Sequence, residues 1–140
     1  MSGTYDLQRF VDAQQHTYAQ ALTELKAGQK QTHWMWFIFP QIAGLGHSSM
    51  AQRYAIDNLG EATAYLRHPL LAPRLDACCQ ALLQHRDRSA RQILGSPDDL
   101  KLCSSMTLFN AADPRHPAFR QVLEIFFSGM ADAETLKRLG

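Results

Sequence analysis

The sequence predicts an all-α protein, a single-domain orthogonal bundle of about six helices that takes in residues 1–140. Apolar residues recur at helical spacing in several separate segments, and residue types that begin and end helices stand between those segments. No repeat, low-complexity tract or linker divides the chain. Its hydrophobic share of 46% and charged share of 19% are typical of globular proteins. A chain of this length therefore forms a core without metals or disulfides.

The first segment has the clearest helical pattern of the chain. Its apolar stripe consists of Leu7, Phe10, Val11, Tyr18, Ala21, Leu22 and Leu25. Either Thr4 or Asp6 is suited to cap the start of this helix, and Gly28 is suited to its end. A single helix up to Gly28 is therefore expected.

The next segment, HWMWFIFPQ at residues 33–41, is unusually rich in aromatic residues. Periodicity does not distinguish a buried strand from a buried helix in so short an apolar run. Pro40 ends whatever element precedes it. The following GLG at residues 44–46 lacks the spacing of a phosphate-binding loop and favours a tight turn. We therefore expect residues 34–39 to lie in the centre of the core.

Residues 58–95 predict two helices and a short helical turn. Asn58 and Glu61 fit a capping box at the start of the first helix. Pro69 suits the first position of the second helix. The apolar stripe of that helix is Leu71, Leu75, Cys78, Cys79 and Leu82. Gly95 closes the short turn.

Residues 96–140 predict three more helices. The segment SPDD at residues 96–99 combines a capping serine, a proline at the first helical position and two acids in the first turn. His116 and Pro117 begin the next helix, which Gly129 ends, and Asp132 caps the last one. The whole chain is therefore expected to contain six or seven helices, with at most one doubtful strand at residues 34–39.

Overall charge and apolar runs exclude several functional classes. A formal net charge of only +1 gives no long-range field to attract nucleic acid or an anionic membrane. The longest apolar run, residues 34–39, is far shorter than the roughly 20 residues of a membrane-spanning helix. The N-terminus has no secretory signal, and the three cysteines form no zinc-type pair. We therefore expect a cytoplasmic protein with no metal site and no nucleic-acid or membrane partner.

Five segments of the chain resemble a bacterial family of unknown function. They are HWMWFIFPQ at 33–41, GLG at 44–46, AYLRHP at 64–69, KLCSSMTLF at 101–109 and FFSG at 126–129. Because they follow the family's order over nearly the whole chain, the chain is identified as a member of the domain-of-unknown-function 1810 family. The resemblance implies an all-helical single domain and no established activity. Some members are labelled calpastatin-like, but calpastatin inhibits through disordered repeats, and this composition predicts a folded domain.

The candidate ligand-binding residues are Gln14, His33, Trp36, Gln41, Lys101, Ser104 and Ser105. Gln14 falls on the apolar stripe of the first helix, where a buried amide needs hydrogen-bond partners. It either satisfies backbone groups at a helix junction or faces a polar cavity. His33 is either a general acid or base or a packing residue with one hydrogen bond. Trp36 either stacks on a flat ligand or packs in the core.

Lys101, Ser104 and Ser105 are three and four residues apart, so they share one face of a helix. One ammonium and two hydroxyl groups on one face suit a phosphate or a carboxylate. The alternatives are a serine–lysine dyad that attacks an acyl carbon and a spacing that arises by chance.

These residues favour a protein that binds a small polar, anionic or nucleotide-like ligand, and that hydrolyses it or transfers a group from it if it is an enzyme. The alternative is a non-catalytic protein–protein interaction module. The sequence identifies no cofactor, catalytic residue or oligomeric state. The first hypothesis predicts that the candidate side chains converge on one concave pocket. The second predicts a flat apolar patch.

Overall fold

The computed structural model describes residues 5–140 and shows the all-α fold that the sequence predicts. Thr4, one of the two predicted caps of the first helix, lies outside the described residues. In chain order the helices are α1 (Gln8–Gln15), α2 (Tyr18–Ala27), α3 (Met35–Ile38), α4 (Ser49–Arg53), α5 (Leu59–Arg67), α6 (Leu71–Leu83), α7 (Ala90–Leu94), α8 (Asp98–Ala112), α9 (Pro117–Phe127) and α10 (Ala133–Leu139). None of these helices in residues 5–140 is long and apolar enough to cross a membrane.

Helix length explains the difference between the predicted and the observed number of helices. Six helices, α1, α2, α5, α6, α8 and α9, have eight or more residues, which agrees with about six. The shorter ones, α3, α4, α7 and α10, have four to seven residues. Periodicity is read over 11–18 residues, so helices of one or two turns leave no clear pattern in the sequence.

The first segment forms two helices, so the prediction of one continuous helix up to Gly28 is wrong. The break falls at His16 and Thr17, between α1 and α2. The backbone N–H of Thr17 donates to the carbonyl of Gln14 at 3.2 Å, and its hydroxyl donates to the carbonyl of Ala13 at 2.8 Å. These bonds tighten the last turn of α1 and end it. The end of α2 at Gly28 is confirmed, with Gly28 in the left-handed conformation at φ 77°.

Most of the aromatic segment lies in the core, as predicted, and it contains the short helix α3, but Trp36 and Phe37 are only half-buried. Trp34, Met35, Ile38 and Phe39 are each at most 2% exposed. Directly after Pro40 the chain makes its one β-type contact within residues 5–140, an isolated parallel bridge between Ile42 and Ile56. The doubtful strand at residues 34–39 is therefore a helical turn.

Two of the predicted helix starts are confirmed by their hydrogen bonds. The Asn58 side chain accepts from the N–H of Glu61, and the Asp132 side chain accepts from the N–H of Thr135. The start of α8 differs from the prediction. That helix begins at Asp98, one residue after Pro97, and no side chain caps it. The two acids of its first turn, Asp98 and Asp99, are where the sequence places them.

Helix α8 is the centre of the bundle. It packs against α5, α7, α9 and α10, while α6 packs against α2, α5 and α9. Its buried side chains are Leu102, Ser104, Ser105, Met106, Thr107, Leu108 and Phe109. A helix that is covered on most sides has no single apolar stripe. The first turn of α8 is its most exposed part, and there it forms one wall of a pocket.

Candidate functional site

A cavity of about 280 Å³ lies between residues 30–36 and the first turn of α8. We call it the Trp36 pocket. Its lining residues are Lys30, His33, Trp34, Met35, Trp36, Ser96, Pro97, Asp98 and Lys101. Three of the predicted site residues, His33, Trp36 and Lys101, therefore share it. A fourth, Gln41, lies beside it in a crevice of about 10 Å³ that Trp36 and Lys101 also line, which is space for one water molecule.

The charged groups of the Trp36 pocket are two lysines on either side of one aspartate. Lys30 Nζ lies 2.9 Å from Asp98 Oδ2, and Lys101 Nζ lies 3.5 Å from Asp98 Oδ1. The Lys30 side chain is 8% exposed, whereas that of Lys101 is 27% exposed. Because the Lys101 contact is longer and more open to solvent, its ammonium group is the one available to a ligand.

Each ammonium group also lies over an indole ring. Lys30 Nζ is 5.2 Å from the ring centroid of Trp34, and Lys101 Nζ is 5.2 Å from that of Trp36. Such cation–π contacts hold a lysine over a ring face. Trp34 is buried and Trp36 is half-buried. The pocket therefore combines positive charge with a partly open aromatic surface.

A buried carboxylate, that of Glu24 in α2, fixes the wall that carries the tryptophans. Glu24 is 4% exposed and accepts hydrogen bonds from the N–H groups of Gln31 and Thr32, from the Thr32 hydroxyl and from Trp34 Nε1, at 2.7–3.0 Å. Burial raises the pKa of Glu24, but these bonds and one from Gln20 outweigh it and lower the pKa to about 2. The ionised carboxylate thus orients Trp34 without itself lining the pocket.

The opposite wall is fastened by backbone hydrogen bonds. The N–H of Lys30 donates to the carbonyl of Ile93 at 2.7 Å. At the start of α8, the N–H groups of Asp99, Leu100 and Lys101 donate to the carbonyls of Gly95 and Pro97. These four amides therefore already have acceptors, and the positively charged donors that line the pocket are the two lysines.

Three of the predicted site residues do not line this pocket. Gln14 is 2% exposed, and its amide donates to the Phe37 carbonyl at 2.7 Å and to the Tyr65 hydroxyl at 3.2 Å. Its oxygen accepts from Arg74 at 3.4 Å. Of the two interpretations of Gln14, this geometry matches the one in which the amide satisfies backbone groups at a helix junction.

The two serines lie on buried sides of α8. The Ser104 hydroxyl lies 3.2 Å from both the Leu100 carbonyl and the Asp132 carboxylate, either of which can accept its one proton. Ser105 is fully buried, and its hydroxyl has no hydrogen-bond partner within residues 5–140. Helix α8 is covered by α10 where Ser104 points, so the Lys101–Ser104–Ser105 face does not open into the Trp36 pocket. The structure therefore does not bring a serine–lysine dyad together there.

Comparison with known proteins establishes the family. The sequence profile described as "Protein of unknown function (DUF1810)" matches residues 4–139.

The chain belongs to the DUF1810 family.

A solved structure similar to this DUF1810 chain is the crystal structure of the conserved hypothetical protein Rv1873 from Mycobacterium tuberculosis. The two share 50% sequence identity, the match covers 96% of each chain, and the TM-score is 0.95. No curated protein matches the chain. The fold is thus shared with an experimental structure.

His33 lies at the rim of the Trp36 pocket and also borders a second cavity of this DUF1810 chain. That cavity measures about 230 Å³ and is lined by His16, Thr17, Gln20, Thr32, His33 and Trp34. The imidazole of His33 is exposed. Within residues 5–140, no group of three or more histidine, cysteine, aspartate or glutamate side chains is arranged to hold a metal ion.

Sequence reasoning missed three residues that build the site in this DUF1810 chain. Glu24 had a signal, because it is three residues after Ala21 and next to Leu25 on the buried stripe of its helix. Asp98 has the sequence signal of a helix-start residue only, although it also pairs with two lysines. Lys30 follows a helix in an irregular segment and carries no sequence signal.

Proposed function

We propose that this protein binds a small organic anion with a flat ring, such as a mononucleotide or a smaller aromatic phosphate or carboxylate, in the Trp36 pocket. The observation that carries the proposal is the charge of the pocket wall. Two ammonium groups, those of Lys30 and Lys101, face a single carboxylate, that of Asp98. One positive charge is therefore left for a ligand.

The position of Lys101 supports an anion contact. Its ammonium group is held to Asp98 at 3.5 Å and is 27% exposed, so a phosphate or carboxylate oxygen can approach it without breaking a tight ion pair. Charge-assisted hydrogen bonds of this kind are about twice as strong as neutral ones. Lys30 is largely buried and remains with Asp98 at 2.9 Å.

The shape of the pocket supports a small ring. A volume of about 280 Å³ is at the lower limit of cavities that enclose drug-sized ligands, roughly 300–1,000 Å³. The half-buried indole of Trp36 lines the pocket and carries the Lys101 ammonium over its ring, so an aromatic surface and a cation lie together there. A ring with one anionic substituent fits these features, whereas a dinucleotide exceeds the volume.

The proposal is tested by thermal unfolding with AMP, GMP, sugar phosphates, benzoate and phenyl phosphate. A ligand at about 100 times its dissociation constant stabilises the folded state by about 2.7 kcal/mol, which raises Tm by several degrees. We expect at least one ring-bearing anion to do so. Lys101→Met removes the free ammonium group and should abolish the shift.

Lys137→Met is the matched control, because Lys137 is an exposed lysine in α10. It should leave the shift unchanged. A shift that persists in Lys101→Met contradicts the proposed site. If no compound shifts Tm, the interaction module becomes the better candidate. It is favoured by the four large apolar side chains that are exposed within residues 5–140, Leu59 (41%), Leu100 (62%), Met130 (70%) and Leu136 (48%).

A further inference from the structure

We infer that the Trp36 pocket selects a ligand that carries a single negative charge, an aromatic carboxylate or a phosphate diester, over the doubly charged phosphate monoester. This inference rests on the proposed function and specifies the ligand class. Its basis is the balance of fixed charges in and directly behind the pocket wall.

The first layer of charge consists of the lining residues. Lys30 and Lys101 supply two positive charges and Asp98 supplies one negative charge. Asp99, the neighbouring acid on α8, does not line the cavity. Among the described residues, the only other ionisable group of the lining is the exposed His33, which takes no part in these ion pairs, so the lysines and the aspartate together supply one net positive charge. One monoanion therefore neutralises this layer.

The second layer is negative. The Glu24 carboxylate accepts from Trp34 Nε1 at 2.9 Å, so it lies at the edge of the indole ring that carries Lys30 over its face. Glu24 is ionised at neutral pH, because the hydrogen bonds to it overcome the effect of burial and lower its pKa to about 2. A second negative charge on the ligand would meet no free cation in the wall and would be repelled by Glu24.

The arrangement of Asp98 gives the carboxylate a role of its own. Its two oxygens contact different lysines, at 2.9 Å and 3.5 Å. The Asp98 carboxylate therefore neutralises one of the two lysine charges whether or not a ligand is bound. Removal of this charge without change of shape is expected to convert a site for a monoanion into a site for a dianion.

Two probes that differ by one charge test the inference. Phenyl phosphate carries two negative charges at pH 8, since the second pKa of phosphate monoesters is near 6, and methyl phenyl phosphate carries one. Isothermal titration at pH 8 and low salt should show that the native protein binds the methyl ester more tightly, by up to about fivefold, which is the upper limit of what one exposed charge contact contributes.

Asp98→Asn should reverse this order, because it removes the negative charge that neutralises one of the two lysines. Lys30 is largely buried, and loss of its partner could unfold the protein. Ser96→Lys therefore provides a second variant, because Ser96 lines the pocket, is exposed and has no part in the ion pairs. It should also shift the preference toward phenyl phosphate. Gln121→Lys, which adds a charge at an exposed position of α9, should not.

Each result decides between distinct claims. Equal binding of the two probes, or tighter binding of phenyl phosphate by the native protein, overturns the charge selection but leaves the proposed function intact. An unchanged preference in Ser96→Lys overturns the selection as well. If neither probe binds in a way that depends on Lys101, this inference is wrong, whereas the proposed function is decided by the thermal-unfolding screen with the other ring-bearing anions.

Discussion

At the scale of single residues, Glu24 is the side chain on which the local structure around the pocket depends most. It gathers donors from the backbone of residues 31 and 32 and from three side chains, those of Gln20, Thr32 and Trp34. Segment 29–34 has no helix or strand of its own, so its polar groups need such partners. One buried acid thus replaces regular secondary structure in this segment.

Replacement of Glu24 by glutamine should lower the free energy of unfolding at pH 7 by about 3 kcal/mol, because the amide cannot accept all of these bonds and presents an N–H group to donors. Urea unfolding measures this value. Folding lowers the pKa of Glu24 from its ordinary 4.5 to about 2. The carboxylate therefore stabilises the folded state fully above pH 4.5, and this contribution is lost as the pH falls toward 2.

The difference between the native protein and Glu24→Gln should accordingly shrink between pH 4.5 and pH 2. Glu124→Gln, at an exposed position of α9, is the control and should change stability by less than about 0.5 kcal/mol. A difference that stays constant over this pH range would show that the charge of Glu24 does not matter.

At the scale of elements, Gly28 both ends α2 and packs closely against a neighbouring connection. Gly28 has φ 77°, a conformation that side chains with a Cβ adopt at a cost of about 1–2 kcal/mol. A Cβ at this position would also lie 2.9 Å from Cε1 of His85. The Gly28 carbonyl accepts from Arg88 at 2.6 Å. The turn after α2 is therefore closely covered by the connection between α6 and α7.

Gly28→Ala should therefore cost more than Gly129→Ala, although both glycines have nearly the same φ. Gly129 has φ 76°, and a methyl group added there would have no neighbouring atom of residues 5–140 within 4 Å. We expect about 1 kcal/mol for Gly129→Ala and about 2–3 kcal/mol for Gly28→Ala, measured by chemical denaturation. Equal costs would mean that His85 moves aside freely.

The ends of a helix could be predicted from the sequence where a capping residue within one turn of that end determines them. Asn58, Asp132 and Gly28 each act within one turn of their own helix, so residue type alone indicates the role. The break at Thr17 was not predictable, because the apolar stripe continues through it on both sides. Helix α1 ends because the hydroxyl and the N–H of Thr17 donate to the carbonyls of Ala13 and Gln14. The spacing of apolar residues carries no information about these bonds.

The same distinction applies to the candidate site. His33, Trp36 and Lys101 were identified from residue type, and the fold brings them to one cavity. Ser104 and Ser105 share a helix face with Lys101 by spacing alone, yet packing of α10 and the core encloses both serines. The pairing of Lys30 with Asp98 depends on a tertiary contact between distant parts of the chain, which spacing cannot indicate.

At the scale of the whole molecule, the cysteines report on how completely the bundle is closed. Cys78 and Cys79 are fully buried, while Cys103 is partly exposed. Burial raises the pKa of Cys78 to about 12 and that of Cys79 well above its ordinary value. A thiol that is buried and protonated does not react until the structure around it opens.

A thiol reagent such as DTNB at pH 8 should therefore label one cysteine per native chain and all three in denaturant. Cys103 is the one expected to react, and slowly, because desolvation and the nearby Asp132 raise its pKa too. Cys103→Ser should remove the native-state reaction. Rapid labelling of Cys78 or Cys79 without denaturant would show that α6 separates from the bundle more easily than its burial implies.

The hydrogen bonds that fasten segment 29–34 to Glu24 on one side and to Ile93 on the other have a kinetic consequence. A binding site whose residues are already held in place loses little conformational entropy when a ligand binds. The rate of encounter is then set by diffusion and steering, and selectivity resides in how long the guest stays. The proposed function therefore predicts that discrimination among ligands of the Trp36 pocket appears in their dissociation rates.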